Sequence, residues 1–245
     1  MVKKLNYALL VLLLAFTGLF AENHEQKINK SFKLPAGGSM ELANINGTID
    51  ITSSGGETVE IKAIKKSDHK GEIENVEVVF DQTGDALRVK VKYNKRNAKA
   101  KVDFVVSLPE KLARAEFKSV NGTLDCSGKF SDLKLKTVNG RIDFDGEFRA
   151  GSFKTVNGAI ALSQEPLLSG DLDVETVNGA ITIELNRKSA FWVEGRTING
   201  SIDNEFGIKV EKHLVGSSFS GKVNDGGKYK VNVETVNGSI DISKI

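Results

Sequence analysis

Cysteine is nearly missing from this chain: Cys126 stands alone among 245 residues, so no internal disulfide can staple a small core. Proline occurs three times and tryptophan once. Charge of one sign is missing too. Lys3 and Lys4 account for the formal +2, and residues 22–245 balance at 32 basic against 32 acidic, which removes the global field of a nucleic-acid binder. His24, His69 and His213 are far apart in sequence and lack zinc-ligand spacing, and no Gly-x-Ser-x-Gly nucleophile elbow occurs. No metal, cofactor or catalytic residue is therefore expected. Long apolar runs are confined to the first 21 residues, where Lys3 and Lys4 precede Leu9–Phe20 and Ala21 suits the −1 position of a cleavage site. We read residues 1–21 as a secretory signal, too short in its apolar run for a span of about 20 residues. No cysteine follows it to make a lipoprotein.

What is abundant is Gly, with 24 copies, together with Val and Ile, the composition of short strands joined by tight turns. One phrase recurs, Thr-Val-Asn-Gly-x-Ile-x-Ile. Its asparagines are Asn46, Asn121, Asn139, Asn157, Asn178, Asn199 and Asn237, and Ser218-Phe219-Ser220-Gly221 reads as a worn eighth copy. Steps from Asn121 are 18, 18, 21, 21, 21 and 17 residues, a regularity that marks stacked repeats. Apolar residues fall four before the Asn (Phe117, Leu135, Phe153, Val174, Val233), one before it, three after, and five after (Cys126, Phe144, Leu162, Ile183, Ile242). Asn204 and Asp225 break the last column, predicting irregular coils near 200–225. Cys126 belongs to that column as a small buried apolar residue.

Asn-Gly suggests a two-residue hairpin. In a hairpin, however, the residue before the Asn shares a face with the small or polar residue two after it (Thr123, Arg141, Ala159, Ala180, Ser201, Ser239), and every Val would point away from the core. A bend that turns the Val inward removes the conflict. The expected fold is therefore all-β, a parallel β-helix-like solenoid of 18–21-residue coils, with the Asn amides as a ladder at one corner. Residues 22–112 form a strand-rich N-terminal part and 113–245 the repeat array. Within 57–112 the strands alternate, and Thr83-Gly84-Asp85 reads as a hairpin tip. That interval is either degenerate coils or an antiparallel subdomain, with the tip favouring the second.

Charged candidates are few. Asp125 and Asp143 are expected on adjacent coils, a pair that could share a proton or hold Ca²⁺ but is not extended by Ala161 and Thr182. The basic run Arg88, Lys90, Lys92, Lys95, Arg96, Lys99 and Lys101 is the strongest local charge feature. Arg88, Lys90 and Lys92 alternate with apolar residues and line one solvated face, either a protected sheet edge or a docking surface for an anionic lipid or polysaccharide. Trp192, between Phe191 and Val193, reads as core or cap rather than a sugar platform.

Over residues 38–245, and most clearly at 137–144, 155–162, 176–183 and 235–242, the repeated (Thr/Ser)-Val-Asn-Gly-(polar)-Ile resembles the bacterial putative-adhesin family. Val102–Leu108 with Pro109 is similar to that family's segment before the repeats. The resemblance implies a β-solenoid, a role in the cell envelope, links of some relatives to envelope-stress sensing, and no catalytic residues. The expected activity is non-enzymatic binding or scaffolding of an envelope component: an anionic polysaccharide, a lipid or a protein. A sensor acting through a membrane partner and a carbohydrate-active β-helix enzyme are the alternatives.

Overall fold

The computed structural model describes residues 24–95, 99–110 and 112–245; the leader at 1–21 and Arg96 lie outside them. The N-terminal part holds β1 (His24–Lys33), β2 (Ser39–Ala43), β3 (Ile49–Ser54), β4 (Thr58–Ser67), the helical turn α1 (Lys70–Ile73), β5 (Val76–Thr83), β6 (Ala86–Tyr93) and β7 (Lys101–Pro109). The repeats supply β8 (Arg114–Lys118), β9 (Leu124–Lys136), β10 (Ile142–Lys154), β11 (Ile160–Gln164), β12 (Leu172–Asn178), β13 (Ile181–Leu185), β14 (Phe191–Asn199) and β15 (Ile202–Asn204). Last come β16 (Val210–Lys212), β17 (Ser217–Val223), β18 (Lys230–Asn237) and β19 (Ile240–Lys244).

The repeats form the expected solenoid. In each coil one strand enters the Asn-Gly corner, a second leaves it, and a wider corner returns the chain. Entering strands stack in parallel as β2, β8, the end of β9, the end of β10, β12, β18 and β14. Leaving strands stack as β3, the start of β9, the start of β10, β11, β13, β19 and β15. The isoleucine column is in register throughout, Ile49, Leu124, Ile142, Ile160, Ile181, Ile240 and Ile202, and every member is buried. Burying one such side chain contributes about 1.5–3 kcal/mol. The lengthening of the step from 18 to 21 falls in the wider corner, where irregular chain separates β11 from β12.

The inward residue at the Asn corner is the Thr, not the Val. Thr137, Thr155, Thr176, Thr235 and Thr197 are buried, while Val120, Val138, Val156, Val177 and Ile198 are 39–45% exposed. This corrects the expectation of inward valines. Each Thr hydroxyl donates to the Gly carbonyl of the next coil, Thr155 to Gly140 at 3.0 Å and Thr176 to Gly158 at 3.0 Å, so a polar residue sits inside at no unpaired cost. Inward positions four and two before the Asn, then three and five after, change parity across the corner. That change is the bend itself. Ser119 breaks the series: its buried hydroxyl has no partner, and Asn44 Nδ2 occupies the Gly47 carbonyl instead, at 3.2 Å.

Outside the corner the asparagines form the expected ladder. Each Nδ2 donates to the Oδ1 of the next coil, from Asn199 to Asn237, Asn178, Asn157, Asn139, Asn121 and Asn46, at 2.7–2.8 Å. Asn46 Nδ2 then reaches Tyr93 Oη at 3.4 Å, and Tyr93 donates to the Ala100 carbonyl at 3.0 Å. Six strand spacings give the ladder a length of about 29 Å.

The stack order is not the chain order. The last coil, β18–β19, lies between β12–β13 and β14–β15, parallel to both. After β15 the chain leaves the stack, β17 pairs antiparallel with β16 and β14, and residues 224–229 carry it back. Asn224 and Asp225 turn with φ of 47° and 44°, and Asn224 Nδ2 binds the Arg187 and Ser189 carbonyls at 2.8 and 2.9 Å. The apparent eighth repeat is therefore no coil. Phe219 is a plug: a Cβ on Gly195, the gap in the column four before the Asn, would lie 2.4 Å from its ring.

Residues 57–112 satisfy both readings of that interval. β4 pairs antiparallel with β1 and β7, and β5 with β6 through a turn at Gly84-Asp85, while β6 and β7 run parallel to β2 and β3. Phe32 of β1 stacks on Phe80 of β5 with ring centroids 5.7 Å apart, joining the two edges over the solenoid's end.

Two stability outcomes follow from the corner. Asn157→Ala removes a donor and an acceptor at mid-ladder and should cost about 1–2 kcal/mol, more than Asn46→Ala at its end; equal melting temperatures would refute the ladder's contribution. Thr155→Val should cost about 1 kcal/mol because it orphans the Gly140 carbonyl, whereas Ser119→Ala, which removes a hydroxyl without a partner, should be neutral in the same urea titration.

Candidate anion-binding face

Two outer faces carry the charged candidates. On the face of the leaving strands, Asp50, Asp125 and Asp143 are in register on β3, β9 and β10. The carboxylate pair is thus a row of three. Asp50 joins it because the coil at Asn46 stacks directly on the coil at Asn121, with the intervening residues placed elsewhere. The row lines a shallow groove of about 500 Å³ that also includes Asp145 and Glu184. Partial burial, then the charges of Asp143 and Asp50, hold the Asp125 carboxyl above its ordinary range; burial and Asp103 do the same for Asp50. Arg141 pairs with Asp143. Among the described residues no three His, Cys, Asp or Glu side chains are arranged to hold a metal ion. Cys126 faces inward, 5% exposed, and burial, with a smaller push from Asp125, drives its thiol pKa well up; such a thiol is unreactive. His24 is in register with Ser67, two positions from His69, and His213 Nε2 lies 2.8 Å from Ser218 Oγ.

The face of the entering strands gathers the lysines. Arg88, Lys90 and Lys92 project outward from β6, which lies beside β2. In register across the strands, the third residue before each repeat Asn reads Ala43, Lys118, Lys136, Lys154, Glu175, Glu234 and Arg196, and Lys90 of β6 extends this row beside Ala43. A file of lysines thus runs from β6 to β10 and gives way to acids. Lys134 stands beside Lys136 on β9, one outward position away.

Ion pairs distribute this charge unevenly. Lys118 binds Glu116 at 2.7 Å and Glu41 at 3.0 Å; those contacts, Glu116 first, raise its pKa. Lys154 binds Asp173 at 2.6 Å and Glu175 at 2.7 Å; burial pulls its pKa down, and the two carboxylates outweigh it. Arg196 pairs with Glu234 at 2.8 Å. Lys90, Lys92, Lys134 and Lys136 have no carboxylate partner among the described residues. Beside the file stand the outward Ile45, Val120, Val138, Val156 and Val177, 36–40% exposed, an apolar ridge next to a cationic one. Sequence reasoning placed Arg88, Lys90 and Lys92 on a solvated face. It missed Lys118, Lys136 and Lys154, whose only signal was a Lys three before Asn in three consecutive repeats, and Lys134, two residues before one of them. Trp192 is not core: it is half-buried on this outer face, in register with Lys222 and Lys230.

Comparison with known proteins gives a family and a fold. Residues 39–243 match the family model described as Toastrack DUF4097. A crystal structure of a "putative cell adhesion protein" from Clostridium sporogenes is similar with a TM-score of 0.53 at 14% identity, covering 90% of this chain and 100% of that one. A "putative adhesin" from Bacteroides fragilis is similar at 13% identity with a TM-score of 0.41, covering 90% and 97%. At 14% identity the likeness to the Clostridium sporogenes protein is one of fold. No curated protein sequence matches the chain.

The aspartate row sets a pH dependence. A carboxyl whose folded pKa exceeds its unfolded value near 3.9 binds its proton more tightly when folded, so stability rises as pH falls through the folded pKa. Asp125→Asn should therefore raise the melting temperature at pH 7, by less than about 4 °C given its exposure. The gain should vanish near pH 3, where both states are protonated. A gain that persists at pH 3 would show that the charge is not its cause.

Proposed function

The chain belongs to the Toastrack DUF4097 family, and we propose that it is a non-enzymatic binding module of the cell envelope that docks an anionic component on its lysine face. The leader at residues 1–21 exports it, and residues 22–245 form the mature binding unit. One observation carries this reading: β6 of the N-terminal part and β8, β9 and β10 of successive coils set Lys90, Lys118, Lys136 and Lys154 in one file. Lys118 and Lys154 are each held by two carboxylates, whereas among the described residues Lys136 between them, and Lys90, Lys92 and Lys134 near it, have none, so the uncompensated positive charge of the face lies on these four. An arriving polyanion meets several unpaired ammonium groups on one face, so the face favours a ligand with repeated anionic groups over one with a single charge. The acids beyond Lys154 bound the field at one end and orient the ligand towards the N-terminal half. Adhesion is the role consistent with the descriptions of the structural neighbours.

The test is salt-dependent binding of the full chain to dextran sulfate. Lys136→Glu, and separately Lys90→Glu with Lys92→Glu, should each weaken binding about tenfold at low salt and flatten its salt dependence. Lys62→Glu, exposed on β4 away from this face, should leave it unchanged. Equal losses from all three variants would show that net charge alone drives binding and that no face is involved.

A further inference from the structure

We propose that the ligand of the lysine face is a linear acidic polysaccharide, a uronic-acid polymer, lying along the solenoid axis across the strands. This rests on the anion-docking reading and narrows it from a charge to a polymer. Three properties of the face select the occupant.

The first is width. The continuous cationic file is a single row, with the β-branched ridge on one side and, on the other, a mixed row of Arg88, Glu41, Glu116 and Lys134 in which the carboxylates break the positive charge. Beyond Lys154 the same face presents Asp173, Glu175, Glu234 and Glu194. An anionic bilayer pressed on this face would cover both halves and set those acids against its own phosphates. A single chain can occupy the file and leave the acidic half in water.

The second is period. Successive lysine positions are one strand spacing apart, about 4.8 Å. An extended acidic peptide places same-side carboxylates about 6.6 Å apart, two residues at about 3.3 Å, and falls out of step within two strands. A pyranose ring advances its chain by nearly one strand spacing, so its carboxylates recur at one or two spacings and stay in step. The vacancy at Ala43, between Lys90 and Lys118, fits the same one-or-two rule.

The third is the ridge. Val120, Val138 and Val156 are about 40% exposed and stacked beside the lysines. Their branched methyl groups offer the carbon–hydrogen face of each ring an apolar surface, while a lysine ammonium meets its carboxylate. Lys136 and Lys134 supply unpaired donors at the centre. Lys118 and Lys154 each keep two carboxylates and offer the one N–H that remains of the three on an ammonium.

The file from Lys90 to Lys154 covers four spacings, about 19 Å. Binding of oligogalacturonates to the full-length protein, followed by titration calorimetry at low salt, should therefore tighten with chain length and level off near about five sugars. Lys136→Gln should weaken polygalacturonate about tenfold, and Val138→Thr, which keeps the β-branched shape, about threefold, both with wild-type melting temperatures. Dextran should not bind. Binding to phosphatidylglycerol vesicles with none to polygalacturonate would overturn the polysaccharide and leave the anionic face standing. Equal binding of polyglutamate would overturn the period argument, and with it the proposal. Dimerisation through this face, seen as a Lys136-dependent change in sedimentation with no polymer binding, would reassign the face to a second copy. Binding to no polyanion at all would remove the underlying reading as well.

Discussion

At each Asn-Gly corner the chain passes so close to its neighbour that a side chain cannot fit between them. A Cβ on Gly158 would lie 1.9 Å from the Gly140 carbonyl oxygen, and the same clash recurs at Gly122, Gly140, Gly179, Gly200 and Gly238. That approach is what brings each Thr hydroxyl onto a Gly carbonyl and each Asn amide onto the next. The glycine is required here by the neighbour's position rather than by left-handed backbone, since among these corners only Gly47 has a clearly positive φ, 117°. The side-chain amides all point one way, so each bond polarises the next, and the series ends on Tyr93 and the Ala100 carbonyl.

A strict corner leaves little freedom in how coils follow one another, yet the chain departs from simple succession twice. The coil at Asn46 sits directly on the coil at Asn121, and the final coil enters between two earlier ones. Both are allowed because every coil presents the same edge, so any coil can stack on any other. The short β15 and β16 and the charges of Glu211 and Lys212 blunt the far end against edge-to-edge association.

The same interchangeability builds the outer face. Side chains three before each Asn point outward and take no part in the core or the Asn-Gly corner, so their charge can vary from coil to coil. Lysine on successive coils becomes a file, and glutamate on the coils that follow ends it. The ridge of valines beside it is compatible with the strand because β-branched residues suit a pleated surface whether or not they are buried. The apolar column before the Asn was therefore a record of strand preference and outer surface. The buried residue next to it was a threonine, which hydrophobicity alone does not flag.

The sequence by itself determined the repeat, the all-β class, the solenoid, the Asn ladder and the solvated character of Arg88, Lys90 and Lys92. Those follow from local period and from side-chain chemistry repeated at each corner. Tertiary structure decided the order of the coils, the inward Thr, the plug of Phe219 into Gly195, and the joining of Asp50 to Asp125. It also decided the alignment of Lys90 with Lys118, Lys136 and Lys154. The physical reason is the same in each case. Identical edges pair equally well in any order, so spacing along the chain cannot say which coil becomes whose neighbour, and a face made from one residue per coil exists only once that order is set.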